Sequence, residues 1–245
     1  MALLLLHLFP QPPPLPNAEP LSVCELGAGL GTTSVLLTKL APIVRVLCTD
    51  GMQEIVGRAK LTRPRGAADI AFETLCFGSC PAEHEGRFRI IFCVELTYYS
   101  VPIADLIATA THLLEEPAPN TTNHPTCPPM VVMTHVFRVP GQQRQLHEIA
   151  TEHGLVAVDV PPGAYGCLHE DGVVAEEGIS GNASCNFLVP AAVWEEVGRG
   201  GSAQYGRVGR VLAEGRRLIE VVGEQEREEA DPMAMLGAFD LSDEE

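Results

Sequence analysis

The sequence predicts an α/β protein built on a doubly wound, mostly parallel sheet with helices on both faces. Three observations carry that expectation. Short apolar runs alternate with stretches of helical spacing along most of the 245 residues, and such alternation needs crossover connections, hence parallel strands. The glycine-rich stretch CELGAGLGTTS, residues 24–34, joins the first apolar run to the first helical one. A hydrophobic content of 46% over this length supports one sizeable core.

Taken in order, LSVCEL (21–26) reads as a strand, TSVLLTKL (33–40) as a helix, IVRVLCTD (43–50) as a strand and MQEIVGRAK (52–60) as a weaker helix. After a basic loop, IAFETLCFG (70–78) and FRIIFCVEL (88–96) supply two strands, and IADLIATATHLLEE (103–116) has apolar residues at helical spacing. Turn formers at 117–129 break that helix and precede the strand MVVMTHVF (130–137). The segment 143–154 is helical and stops at Gly154, placed to cap it in the left-handed conformation. LVAVDV (155–160) and CNFLVP (185–190) form a closing strand pair around an irregular, glycine-rich segment. Residues 1–197 are therefore expected as one domain, with 198–245 as a Gly-rich linker, a helix near 211–222 and an acidic tail.

The net charge of −16 argues against nucleic acid and anionic membranes as partners, because phosphate would be repelled over most of the surface. From Glu220 to Glu245, ten acidic residues face the single Arg227, so this segment carries −9 of the −16. It reads as a solvated tail or a docking strip for a basic protein. The eight cysteines form no C-x-x-C pair, and Cys24, Cys48, Cys76 and Cys93 lie in apolar runs, where they serve as small buried hydrophobes in a reducing compartment. Cys80, His124 and Cys127 lack the second spaced pair of a tetrahedral site, so no metal is expected. MALLLLHLFP at the amino terminus has no basic flank, is too short to span a bilayer and runs into prolines, so it reads as a helix end. The expected compartment is the cytoplasm, with the nucleus as the alternative. Sequons at Asn120 and Asn182 carry little weight without a secretion signal.

A glycine-rich turn between a first strand and a first helix lets backbone approach a nucleotide-like ligand, and the helix start adds N–H donors. Dinucleotide folds use G-x-G-x-x-G, with the last glycine packing the helix closely. Here Gly27, Gly29 and Gly31 form G-x-G-x-G, and Thr32 stands where that last glycine would be. Glu25, two residues before the first glycine, is awkward beside a pyrophosphate but compatible with a ligand bearing an ammonium and a sulfonium. That pattern suggests S-adenosyl-L-methionine. Asp50 ends the second strand 23 residues after Gly27, placed to accept ribose hydroxyls at the strand ends.

In these motifs the sequence resembles the class I, seven-stranded methyltransferases, and among them the family 16 protein-lysine methyltransferases. ELGAGLG resembles their first motif and CTD their second; LCFG (75–78) resembles the L-x-W-G segment and VELTYY (94–99) the A-D-x-x-Y motif. The resemblance covers roughly residues 1–140 and implies a Rossmann-like, mostly parallel seven-stranded sheet with an antiparallel closing strand. It further implies that Gly27, Ala28 and Gly29 approach the methionine part of the cofactor; Glu25 and Gly31 are expected beside them as cofactor-binding residues. Asp50 would bind ribose, Phe77 would pack on adenine and Val94 would contribute backbone contacts. Phe77 stands where the family has Trp and Glu95 where it has Asp. The chain begins within what resembles the helix before the first strand, without the family's upstream Trp-containing segment.

Glu95 directly follows the apolar run RIIFCV, where a carboxylate is expensive to bury unless paired. Glu95 and Tyr98 are the expected catalytic pair, the first orienting a substrate ammonium and the second walling its channel. His135 and Arg138 fall on the ligand side of such a sheet. The expected acceptor is a lysine of a protein, with a basic protein as the natural partner; the oligomeric state is not legible. A cofactor-binding but inactive scaffold is the alternative. A nicotinamide-dependent oxidoreductase is disfavoured by Thr32 and by the lack of a Tyr-x-x-x-Lys motif or a hydride-handling histidine. The grip for a planar amino group, Asn/Asp-Pro-Pro-Tyr, is also missing.

Overall fold

The computed structural model describes residues 21–40, 44–63, 69–97, 102–117, 127–136, 141–160, 183–205 and 208–217. Seven strands, β1 (Leu21–Leu26), β2 (Val44–Asp50), β3 (Ile70–Thr74), β4 (Ile90–Val94), β5 (Met130–Val136), β6 (Leu155–Asp159) and β7 (Ala183–Pro190), form one sheet in the order β3-β2-β1-β4-β5-β7-β6. The β1–β2, β2–β3, β1–β4 and β4–β5 pairs are parallel, and β7 runs antiparallel between β5 and β6. The doubly wound α/β sheet and its antiparallel closing strand are as the sequence predicts.

The sheet is buried on both faces, so its strands read as continuous apolar runs. Leu21, Val23, Cys48, Phe72 and Phe92 pack on one face; Cys24, Leu26, Leu47, Ile91 and Cys93 pack on the other. Helices α1 (Thr32–Leu40) and α2 (Gln53–Thr62) cover the first face through Leu37, Val56 and Ala59. Helices α3 (Ile103–Leu113) and α4 (Gln142–Glu152) cover the second. In α3 the buried stripe is Ile103, Leu106, Ile107, Ala110 and Leu113, the spacing of a helix with one apolar side. Gly154 takes the left-handed conformation (φ 71°) just beyond α4, as its position predicts.

Two strands end earlier than their apolar runs suggest. β3 stops at Thr74, and although the Leu75 N–H still bonds to the Asp50 carbonyl, the chain then turns at 76–79. Cys76 is therefore exposed rather than buried with Cys24, Cys48 and Cys93. β4 stops at Val94 because Glu95 turns into the left-handed region (φ 56°), which ends extended pairing.

The core also continues past residue 197. Helix α5 (Ala191–Gly198), which the sequence reading passed over, starts directly after Pro190 and buries Val193 and Val197. Tyr205, Val208 and Leu212, within the stretch expected as linker and helix, join the same cluster. Helix α6, residues 208–217, is held there by Arg216, whose guanidinium lies 5.3 Å from the Trp194 ring centre and bonds to the Trp194 carbonyl. The amino-terminal apolar run, both sequons and the acidic tail from 218 onward lie outside the described residues. Among the described residues, no helix is long and apolar enough to cross a membrane.

Candidate functional site

Parallel register places the C-terminal ends of β1, β2, β3 and β4 along one edge of the sheet: Leu26 lies opposite Cys93, and Asp50 opposite Thr74. β1 pairs with β2 on one side and β4 on the other, so successive connections leave it in opposite directions. The crevice outside such a reversal point is where open α/β sheets hold ligands. The glycine turn, Asp50, Phe77, Val94 and Glu95 all reach this edge. Tyr98 and Arg138 lie outside the described residues.

The glycine turn is fastened at several points. The Ala28 N–H donates to the Thr49 carbonyl at 2.7 Å, the Gly31 N–H to the Ala28 carbonyl at 2.8 Å, and the Gly29 N–H to Asp50 Oδ2 at 3.0 Å. Asp50 Oδ1 accepts the Met52 N–H at 2.9 Å. Asp50 thus clamps the turn and the start of its own following loop. All three glycines have positive φ, but their surroundings differ. A Cβ on Gly31 would lie 2.8 Å from Phe72 Cε1, so this glycine serves the packing of α1 on the sheet. A Cβ on Gly29 would meet no atom within 4 Å. The bare backbone at Gly29 therefore faces open space, and both the neighbouring Leu30 and Met52, two residues after Asp50, are exposed.

Glu25 takes a position that the sequence did not reveal. Its side chain is turned into the protein, 3% exposed, and its carboxylate accepts a hydrogen bond from the Ser34 hydroxyl, with the Ser34 N–H and the Thr33 side chain also lowering its pKa. Burial pushes its pKa up to about 7 against the lowering effect of these donors. Its backbone carbonyl accepts the Thr49 hydroxyl at 2.9 Å. Ser34 and Thr49 were not singled out from sequence, although three hydroxyl residues soon after a strand acid signal where its donors come from.

Phe77 is half-buried against the second-face cluster. Its turn is closed by the Ser79 N–H to the Cys76 carbonyl and anchored where the Gly78 N–H donates to Thr109 Oγ1 at 2.8 Å; Thr109 in turn donates to the Asp105 carbonyl. Thr109 is a second residue that sequence reasoning missed, because its partner is 31 positions away. Val94 is half-buried on the first face. Glu95 is exposed, its N–H donates to the Thr134 carbonyl at 2.8 Å, and it is the only non-glycine residue with positive φ among the described residues.

His135 belongs to a neighbouring polar chain. It is 2% exposed and its Nε2 lies 2.8 Å from Asn186 Oδ1; the Asn186 amide donates to Asp159, which also takes Gln143 and His147 from α4. The Asn186 amide spends its NH₂ on Asp159, so its oxygen must accept from His135 Nε2–H, which sets the imidazole tautomer. Burial pushes His135 from the usual 6.5 down to about 4. The unfolded chain therefore takes up this proton first, and the neutral histidine's contribution to stability is lost as pH falls from 6.5 through 4. Glu25, raised from 4.5 to about 7, acts in the opposite sense and stabilises the fold less as pH rises through that window. The two trends offset each other, so variants are needed to separate them. Between pH 7 and pH 5 the wild type should lose about 2 kcal/mol relative to His135→Gln in urea unfolding; parallel pH profiles would remove this account of His135.

No family model matches this chain, and no curated protein matches it. Solved structures do. The DszA carbon methyltransferase is similar over 77% of this chain and 52% of its own, with a TM-score of 0.53 at 13% identity. The CurJ carbon methyltransferase is similar over 71% and 49%, with a TM-score of 0.51 at 12% identity. The YcgJ protein of Bacillus subtilis is similar over 77% of this chain and 98% of its own, with a TM-score of 0.50 at 12% identity. The chain spans about half the length of the two carbon methyltransferases. At these identities the likeness establishes the fold alone: a Rossmann-like α/β sheet shared with these structures.

Proposed function

We propose that the chain is an S-adenosyl-L-methionine-dependent methyltransferase whose acceptor is a lysine side chain of a protein. The observation that carries the cofactor assignment is the pairing of Gly29 with Asp50. One oxygen of Asp50 holds the Gly29 N–H and the other the Met52 N–H, while the space beside Gly29 is open. A carboxylate offers about four acceptor positions, so two remain for the vicinal hydroxyls of a ribose. The backbone of Gly27, Ala28 and Gly29 suits the amino-acid portion, Phe77 suits adenine, and Leu30 and Met52 offer apolar flanks. The fold likeness to structures named as methyltransferases supports the same reading.

When bound, the cofactor supplies a methyl group on a positively charged sulfur, open to in-line attack. The chain's own task is to deliver an aligned, neutral amine. Keeping a lysine deprotonated at pH 7 costs roughly 4.6 kcal/mol from a reference pKa of 10.4. Glu95, exposed at the end of β4, orients the incoming ammonium; a carboxylate also raises the amine's proton affinity, so its role is alignment rather than strong base catalysis. Tyr98 supplies a channel wall. The acidic character of the chain favours a basic protein as substrate.

The test is to incubate the protein with methyl-labelled S-adenosyl-L-methionine and a lysate and to identify the labelled molecule. Label on a lysine of one protein is the expected result. Label only in the small-molecule fraction would move the assignment to a small-molecule acceptor. Cofactor binding with no transfer to anything would identify an inactive scaffold.

A further inference from the structure

Glu25 is a buried titratable group that the transfer chemistry does not use, and it sits at the foot of the glycine turn. Among the described residues its carboxylate accepts the hydroxyl of Ser34, in the first turn of α1, and the Ser34 N–H and Thr33 side chain favour its charged form. Its main chain is tied to β2 through Thr49. The groups facing it are neutral thiols, Cys24 on β1, Cys48 on β2 and Cys93 on β4, together with the hydroxyls of α1. Asp50 ends the adjacent strand.

We infer that Glu25 is a positioning residue that links cofactor capture to its own loss of a proton. The inference rests on the methyltransferase reading above. The ionised carboxylate accepts from the Ser34 hydroxyl more strongly than the neutral acid does, and that bond holds the helix start against β1, at the end of the Gly27–Gly31 turn. A ligand carrying an ammonium, and in S-adenosyl-L-methionine also a sulfonium, brings positive charge toward a carboxylate buried at the foot of the glycine turn, and this favours ionisation. Capture therefore expels a proton from Glu25 to solvent. The raised pKa of the free protein, about 7, places the exchange near neutrality.

The experiment is calorimetric titration of S-adenosylhomocysteine into the full chain at pH 6, 7 and 8. Each titration is repeated in phosphate and in Tris, whose different ionisation heats report protons released. The wild type should bind about tenfold more tightly at pH 8 than at pH 6 and should release on the order of half a proton at pH 7. Glu25→Gln, checked for a wild-type thermal melt, should bind with this proton release abolished. Ser34→Ala keeps the carboxylate but removes a donor to its ionised form, so maximal release should move to higher pH; it serves as the second variant if Glu25→Gln does not fold. Tight binding that is independent of pH and buffer, or release unchanged in Glu25→Gln, would overturn the linkage while leaving the cofactor assignment intact. No binding of S-adenosylhomocysteine or S-adenosyl-L-methionine at any pH would instead overturn the cofactor assignment itself.

Discussion

Asp50→Asn should weaken S-adenosylhomocysteine binding by about 100-fold while leaving the thermal melt within a few degrees of wild type. The carboxylate does two things at once. Oδ2 and Oδ1 accept the Gly29 and Met52 N–H groups at 3.0 Å and 2.9 Å, and a carboxylate keeps about two further acceptor positions for the proposed ribose hydroxyls. An amide in its place must present an NH₂ to one of those two N–H groups, donor against donor, so the turn loosens as well as losing a ligand contact. Hydrogen bonds to a charged group contribute about 1.5–3 kcal/mol each, and losing two at the lower end of that range amounts to roughly 100-fold in affinity. Calorimetry beside a melting curve separates this from unfolding. Binding by Asp50→Asn within threefold of wild type would remove Asp50 from the site.

Glu95→Ala should lower kcat by at least about 100-fold on the acceptor identified by labelling, with cofactor affinity within twofold of wild type. Misplacing an acceptor by about one ångström costs on that order. The backbone adds an independent check. Glu95 holds φ 56° against the preference of every residue with a Cβ, a strain of about 1–2 kcal/mol that glycine does not feel. Glu95→Gly should therefore be more stable than Glu95→Ala by about 1 kcal/mol and equally inactive. The expected order, more stable yet silent, marks a conformation kept for its function. A Glu95→Ala enzyme with full kcat would end the catalytic assignment.

Much of this architecture is legible because it follows from local pattern. The apolar runs at 21–26, 44–50, 90–94 and 130–136 are strands buried on both faces, and the stripe in 103–113 is a helix with one apolar side. The G-x-G-x-G turn and the strand-end acid at Asp50 are chemical requirements readable in a dozen residues. The misses have causes that neighbouring residues do not carry. IAFETLCFG runs apolar past Thr74, yet the strand ends there because Gly78 donates to Thr109, a partner on a helix that sequence proximity cannot reveal. AAVWEEVG follows directly on a strand and was hidden by it, and the residues after it, Tyr205, Val208 and Leu212, look like linker until the sheet they cover is present.

The sequence by itself determined the class of fold and the bare glycine turn between its first strand and helix, because periodicity and bareness are properties of neighbouring residues. Only the tertiary structure decided what each polar group does. It turned Glu25 inward onto Ser34, gave Asp50 two backbone N–H groups to hold, and enclosed His135 with Asn186, 51 positions away. Solvation and hydrogen bonding set the charge and role of a side chain, and both are supplied by strands and helices brought together only when the chain has folded.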